Sequence, residues 1–346
     1  MQTKQYFAAA NGYDGFISYF DMIFNPSDFT RIYILKGGPG TGKSSLMRKI
    51  SGMAESRGAV CESILCSSDK DSLDGIICEN GDRRIAILDG TAPHERDTAV
   101  PGAVDEIVNL GENWDKRWLE SRRGEISDLN TEKKTAYATA YSYLRMAGCA
   151  SREARKFVLN EKNVKNVKSA ANSLAEDLKY SRGNKKVRLV SSFGKQGHYR
   201  LDTLEEAAKK RYTLIGDKAI TSIFIKEVSD ALSLRSANLT VSPSALEKND
   251  TDALFIGGED ISISRISGGE VIDLGEFSVS DALTDERTRT MRDVEASALE
   301  SAKRWFKIAS DLHFRLEEIY KTSMNFDQNE QIIVEKSEEI SKILGL

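Results

Sequence analysis

The sequence predicts an α/β protein built from two tandem copies of one plan, each a parallel sheet followed by a long helical hairpin. Three observations predict it. Short apolar runs closed by glycine or aspartate alternate with helix-period segments in the first hundred or so residues, the pattern of a parallel sheet covered on both faces. Two stretches, Trp114 to about Tyr180 and Leu283 to Leu346, contain no proline and carry apolar residues at helical spacing. Segments of the first half also return, in the same order, in the second.

The repeats are short but ordered. Arg31–Gly37 (RIYILKG) echoes Lys210–Gly216 (KRYTLIG), and Asn11–Gly15 has a faint counterpart in Phe193–Gly197. Glu106–Glu112 (EIVNLGE) aligns with Glu270–Glu276 (EVIDLGE), and Tyr143–Ala147 with Trp305–Ala309. Separations of roughly 160 to 180 residues are too long for a solenoid and indicate one duplication. A chain of 346 residues is long enough for two domains. The expected boundaries are 1–182, with a hairpin at about 114–180, and 187–346, with a hairpin at about 283–346.

In the first copy a strand is expected at Arg31 to Lys36, a helix from Lys43 to about Arg57, and strands at about Ala59 to Cys66 and Arg83 to Asp89. The first hairpin, with Tyr137, Tyr141, Leu144 and Met146 in one stripe, is expected to break near Gly148. The second is expected to break near Asn325. The join Ser181–Arg188 is polar and basic and reads as a solvated linker.

Composition narrows the function. A net charge of −4 gives no global basic field, so nucleic acid is not an expected partner. The N-terminus lacks the pattern of a signal peptide, and the apolar stretch Phe16 to Phe24 is too short to span a bilayer. The four cysteines (Cys61, Cys66, Cys78, Cys149) form no CxxC pair, and Cys61 and Cys66 point to opposite faces of their strand. Reduced, buried thiols and a cytoplasmic location are expected.

The chemistry is concentrated at Gly37, Gly38, Pro39, Gly40, Thr41, Gly42, Lys43, Ser44 and Ser45, where Gly37 to Ser44 match the P-loop pattern GxxxxGK[ST] in full. The glycines let successive backbone N–H groups face inward around an anion. The following helix adds the positive end of its dipole. Lys43 supplies an ammonium for β and γ phosphates, and Ser44 a hydroxyl for Mg²⁺. An apolar strand, Ile85 to Leu88, ends in Asp89, the form of a Walker B element in which the aspartate holds the metal. The expected fold is therefore P-loop NTPase-like, with ATP and Mg²⁺ as ligands and Lys43 and Asp89 as catalytic residues. No glutamate follows Asp89, so Glu95 and the carboxylates Asp69, Asp71 and Asp74 are candidates to activate water. His94, in the same loop, reads as structural.

Two look-alikes fail. Ser267–Glu270 has the beginning of an ABC-type signature but no Walker B strand after it, and Asn184–Val187 lacks the aspartate of a guanine-reading NKxD element. In the second copy the matching stretch, Gly216–Ile223, replaces Gly42, Lys43 and Ser44 by Thr221, Ser222 and Ile223, and Ser264 and Arg265 stand near the place of the Walker B aspartate. One phosphate site per chain is expected, in the first half. Arg265 or Arg287 could reach it as a charge-stabilising finger.

Leu35–Ser44, Cys66–Gly75, Ala86–His94 and Pro101–Gly111 together resemble a family of bacterial P-loop ATP-binding proteins with two tandem P-loop-like halves. The resemblance covers nearly the whole chain, with its specific motifs in residues 30–115. It implies a nucleoside triphosphatase fold and ATP binding, and no particular reaction. The degenerate second loop departs from members in which both loops are intact. The expected activity is a Mg-dependent ATPase or ATP-driven switch. The alternatives are a small-molecule kinase using Arg117, Arg122 and Arg123 beside a hairpin lid, and a non-hydrolysing module whose hairpins bind a protein partner.

Overall fold

The structure, a computed structural model, describes residues 4–279 and 285–346. The first half runs β1 (Lys4–Phe7), β2 (Ala9–Gly12), β3 (Gly15–Ser18), α1 (Phe20–Ile23), β4 (Arg31–Lys36), α2 (Lys43–Ser56), β5 (Val60–Leu65), β6 (Leu73–Asn80), β7 (Arg83–Asp89) and β8 (Asp105–Asn109). The helices α3 (Lys116–Ser121), α4 (Arg123–Val158) and α5 (Glu161–Asp177) follow. The second half repeats the order: β9 (Lys185–Val187), β10 (Ser191–Gly194), β11 (Gly197–Arg200), α6 (Thr203–Glu206), β12 (Lys210–Ile215), α7 (Lys218–Leu234), β13 (Leu239–Pro243), β14 (Thr251–Ile256), β15 (Ile261–Ser264) and β16 (Glu270–Asp273). It closes with α8 (Glu286–Ser323) and α9 (Phe326–Leu344). The expected helix start at Leu283 lies outside the described residues.

Both halves build a six-stranded sheet of the same order, β1-β5-β6-β7-β4-β8 in one and β9-β13-β14-β15-β12-β16 in the other. The sheets are mixed, which corrects the expectation of a parallel one: β6 runs antiparallel to β5 and β7, and β14 to β13 and β15. The cause is connection length. Only Gly81 and Asp82 separate β6 from β7, and a two-residue loop can join only antiparallel neighbours. The copies agree even in a register irregularity, between Ile64 and Leu65 in β5 and between Ser242 and Pro243 in β13. The basic join is not only linker, since Lys185–Val187 pairs with β13 as an edge strand.

The compact units do not follow the halves of the sequence. One joins the residues up to Ala8 with Ser18–Ala138 and Trp305–Leu346, and the other joins Ala9–Ile17 with Thr139–Arg304. The expected boundary at 182–187 separates the two sheets but not the helices. In the second unit α5 lies on α7, where Val167 and Ala171 pack in one core with Phe224, Ile225 and Val228. Each large side chain so buried contributes roughly 1.5–3 kcal/mol. In the first unit α9 lies on α2 and β7. It is held there by Tyr33 donating to Glu339 at 2.9 Å and by Lys336 reaching Glu106 at 2.6 Å. Each sheet is therefore covered by the closing helix of the other half.

The second hairpin breaks where expected, with the Asn325 side chain accepting from Gln328 N to cap α9. The first does not break at Gly148. Its corner is at Leu159 and Asn160, where Asn160 caps α5. Gly148 lies inside α4 because Tyr13 packs on it: a Cβ there would stand 2.6 Å from Tyr13 Cβ. Cys61 and Cys78 face each other across β5 and β6, with Cα atoms 4.2 Å apart, and form a disulfide. That corrects the expectation of reduced thiols for this pair, while Cys66 and Cys149 are free. No helix among the described residues is long and apolar enough to cross a membrane.

Candidate functional site

Six residues, Gly37 to Gly42, connect β4 to α2 beyond the carboxyl end of the strand. Gly37, Gly40 and Gly42 take φ values of 145°, 72° and 86°, which residues with a Cβ rarely adopt. Interspersed with ordinary residues, they wind the backbone into a concave turn that ends at the α2 N-terminus, an arrangement that gathers N–H dipoles. Thr41 Oγ1 donates to Gly38 O at 2.9 Å and closes the turn. Lys43 Nζ donates to Gly37 O at 2.7 Å and Gly38 O at 2.9 Å, and lies 3.5 Å from Asp89 Oδ2. The ammonium is thus folded back over its own loop, satisfied by carbonyls that a stronger acceptor could replace.

Ser44 Oγ contacts Ser72 Oγ at 2.9 Å and the Leu73 backbone at 3.2 Å, tying the start of α2 to the start of β6. Asp89 is next to Leu35 in the register of β4 and β7. Its Oδ1 accepts from Thr91 N at 2.9 Å and Thr91 Oγ1 at 2.6 Å, leaving Oδ2 toward Lys43. One residue beyond the Gly75–Leu88 pair, Asp74 stands beside Asp89 across β6 and β7. Asp74 is buried, and its Oδ2 has no hydrogen bond among the described residues. Burial pushes its pKa up to about 6, with His94 opposing and Asp89 reinforcing the shift. His94 Nε2 lies 3.7 Å from Asp74 Oδ1, and the ring stacks on Phe20 at 4.5 Å.

The other expected carboxylates are placed differently. Glu95 is exposed and makes no hydrogen bond or ion pair with Lys43, Asp89 or any other described residue. Asp69 Oδ1 accepts from Asp71 N at 3.2 Å, and Asp71 pairs with Lys70 at the surface. Asp69 still shares the field of the loop. His313 on α8 is held below its usual pKa by desolvation and by Lys133 and Lys43, with Asp69 and Asp89 acting the other way.

The residues over the loop come from α8 and α9 and from Asn113 and Trp114. Asn329 Nδ2 donates to Thr41 O at 2.8 Å, and Asn113 Nδ2 donates to Asn329 Oδ1 at 2.8 Å. Trp114 and Tyr320, with ring centroids 5.3 Å apart, flank Gly38. A Cβ on Gly40 would stand 2.6 Å from Glu317 O, so this glycine is required by packing as well as by φ. Sequence reasoning missed all of these, because nothing in an apolar stripe names the loop it will cover. Arg122 pairs with Glu125 and lies over Trp118, Arg287 pairs with Asp285 and lies over Phe157, and Arg265 lines a cavity in the second unit.

In the second unit β12 passes to α7 through Gly216 and Asp217 alone. Gly216 keeps the φ of its counterpart Gly37, 141° against 145°. The helix then starts at Lys218, with Asp217 accepting from Ala219 N at 2.8 Å as its cap. This corrects the alignment made from sequence, because Thr221 to Ile223 lie within the helix and four loop residues are missing. In comparisons with known proteins, no family model, no curated protein and no solved structure matches the chain.

Proposed function

We propose that the first unit is a P-loop ATPase site in which Gly37 to Ser45 hold the phosphates of ATP. The observation that carries the reading is the turn of left-handed glycines leading into α2, with Lys43 and Asp89 3.5 Å apart at its mouth. Phosphate oxygens would draw Lys43 from the Gly37 and Gly38 carbonyls, exchanging neutral acceptors for charged ones, which bind an ammonium about twice as strongly. The Ser44 hydroxyl and Asp89 Oδ2 are hard oxygen donors that would hold Mg²⁺ together with phosphate oxygens and water. Among the described residues no cluster of three His, Cys, Asp or Glu side chains offers a metal site without such help. Bound Mg²⁺ neutralises charge on the β and γ oxygens.

Asp74 takes the role of the carboxylate missing after Asp89. Its buried, unpaired Oδ2 and its pKa of about 6 suit a group that accepts a proton from a nucleophile near neutral pH. A water or an acceptor hydroxyl would serve equally, so the assay must separate hydrolysis from phosphotransfer. Phosphate release by purified protein without acceptor supports the ATPase, ADP formed only with an acceptor supports a kinase, and tight binding without ADP supports a binding module. Loss of ATP affinity in a folded Lys43→Ala variant is required by all three, and unchanged affinity would refute the site itself. A protein partner would meet only the outward faces of the hairpins, since the inward faces are buried within the chain. On this reading the protein would work in the cytoplasm, where burial of Cys61 and Cys78 would shield their bond from thiol reductants.

A further inference from the structure

The second unit holds a cavity of about 300 Å³ at the start of α7 and beyond β12 and β15, lined by His198, Arg200, Lys218, Asp252 and Arg265 among others. In an α/β sheet this is the position where ligands bind. It is also the register position of the first site. Leu35 pairs with Asp89; its counterpart Leu214 stands opposite Arg265, one residue beyond the Thr213–Ser264 pair. Asp252 stands opposite Arg265 just as Asp74 stands opposite Asp89, one residue beyond the Ala253–Ser264 pair. The duplication has therefore kept the frame and replaced a metal-binding type of carboxylate by a guanidinium. A group that repels cations and forks onto oxyanions now occupies that place.

Most charges in the wall are already paired. Arg152 bonds Asp14 and Glu247, Arg155 bonds Asp250, Arg200 bonds Glu205, Lys218 bonds Glu295, and Arg292 bonds Asp217 and Glu295. Asp252 accepts from Ser191 Oγ at 2.6 Å. Arg265 is exposed at the mouth of the cavity and makes no hydrogen bond or ion pair among the described residues, which leaves its guanidinium open to a ligand. The pKa of His198 is lowered by desolvation, which Asp252 opposes and which Arg200, Lys218 and Arg265 reinforce. Arg200, Lys218 and Arg265 line the same cavity as His198 and act on its imidazole through their charge.

We propose that this cavity is a second, metal-independent anion site that binds a phosphate dianion, free or as the phosphate group of a small metabolite, through Arg265 and through Lys218, which would exchange Glu295 for the phosphate. The proposal does not depend on what the first loop binds. Two of the three histidines report on the two sites separately, His313 on the first and His198 on the second. The test is a proton NMR titration of the full chain with inorganic phosphate, the His198 signals being assigned by their loss in His198→Asn. A bound dianion favours imidazolium, so the His198 pKa should rise with saturable phosphate dependence. Arg265→Ala, which breaks no bond in the folded chain, should weaken half-saturation about tenfold or more. A phosphomonoester that acts at lower concentration than inorganic phosphate identifies a metabolite as the ligand, and equal potency identifies the free ion. Three results would overturn the proposal: an unmoved His198 pKa, a shift reproduced by chloride at equal ionic strength, or undiminished binding in Arg265→Ala.

Discussion

Two strand-to-helix connections occupy the same place in two copies of one sheet, and they differ in four residues of loop and one reversal of charge. From β4 to α2 the chain takes six residues, Gly37 to Gly42, and winds them into a concave turn over which Lys43 folds. From β12 to α7 it takes only Gly216 and Asp217, and the helix starts at once. Strand order, strand direction and even the irregularity beside the site are common to both. The sheet thus fixes where a ligand can sit, while the loop and the register partner, Asp89 or Arg265, set its charge.

The comparison breaks most directly at Lys43. Lys43→Ala should lower nucleotide turnover by about 100-fold, the scale seen when one preorganised charge donor is removed. Steady-state phosphate release, with the fold checked by circular dichroism, measures it. Normal turnover would make the two connections functionally alike.

Asp74 gives the next effect. Its pKa rises from 3.8 to about 6 on folding, so its contribution to stability is complete below about pH 4 and is lost as pH rises through 6. Wild type should therefore lose on the order of 3 kcal/mol over that window relative to Asp74→Asn, which does not titrate. Urea midpoints at both ends of the window would show it, and parallel pH curves for the two proteins would contradict the buried carboxyl.

Two glycines of α4 sharpen the contrast further. Gly148→Ala drives a Cβ into Tyr13, which lines the cavity of the second unit and bonds Glu295 through its hydroxyl, and should cost about 1–3 kcal/mol. Gly124 has open space where its Cβ would be, so Gly124→Ala should add about 0.5–1 kcal/mol. Thermal melts of the two variants should move in opposite directions. Equal shifts would show that Gly148 is not held by packing.

Legibility followed local signal. β4, α2 and β7 were readable because each pairs an apolar run with a terminator that has its own physical cause. β6 was not, although Asn80-Gly81 is a strong hairpin signal, because Leu73–Cys78 is buried throughout and shows no alternation of apolar and polar residues. The break at Gly148 was misplaced because glycine ends helices and also admits close packing, and only the position of Tyr13 separates the two. Of the candidate site, the motifs marked Lys43, Ser44 and Asp89, and the structure brings Lys43 and Asp89 within 3.5 Å. The placing of Asp74 beside Asp89 required the antiparallel register, and the exposure of Glu95 was not legible because closeness in sequence to a strand end says nothing of where a loop turns.

The order of residues alone determined the duplication, the glycine turn with its lysine, and the presence of two long hairpins, because these follow from backbone freedom and periodicity within short windows. The tertiary structure decided which helix covers which sheet, which carboxylate stands beside Asp89, and that Arg265 takes its place in the other copy. An apolar stripe specifies that a face must be buried but not against what, and a strand's neighbours are set by hydrogen bonds between segments far apart in the chain.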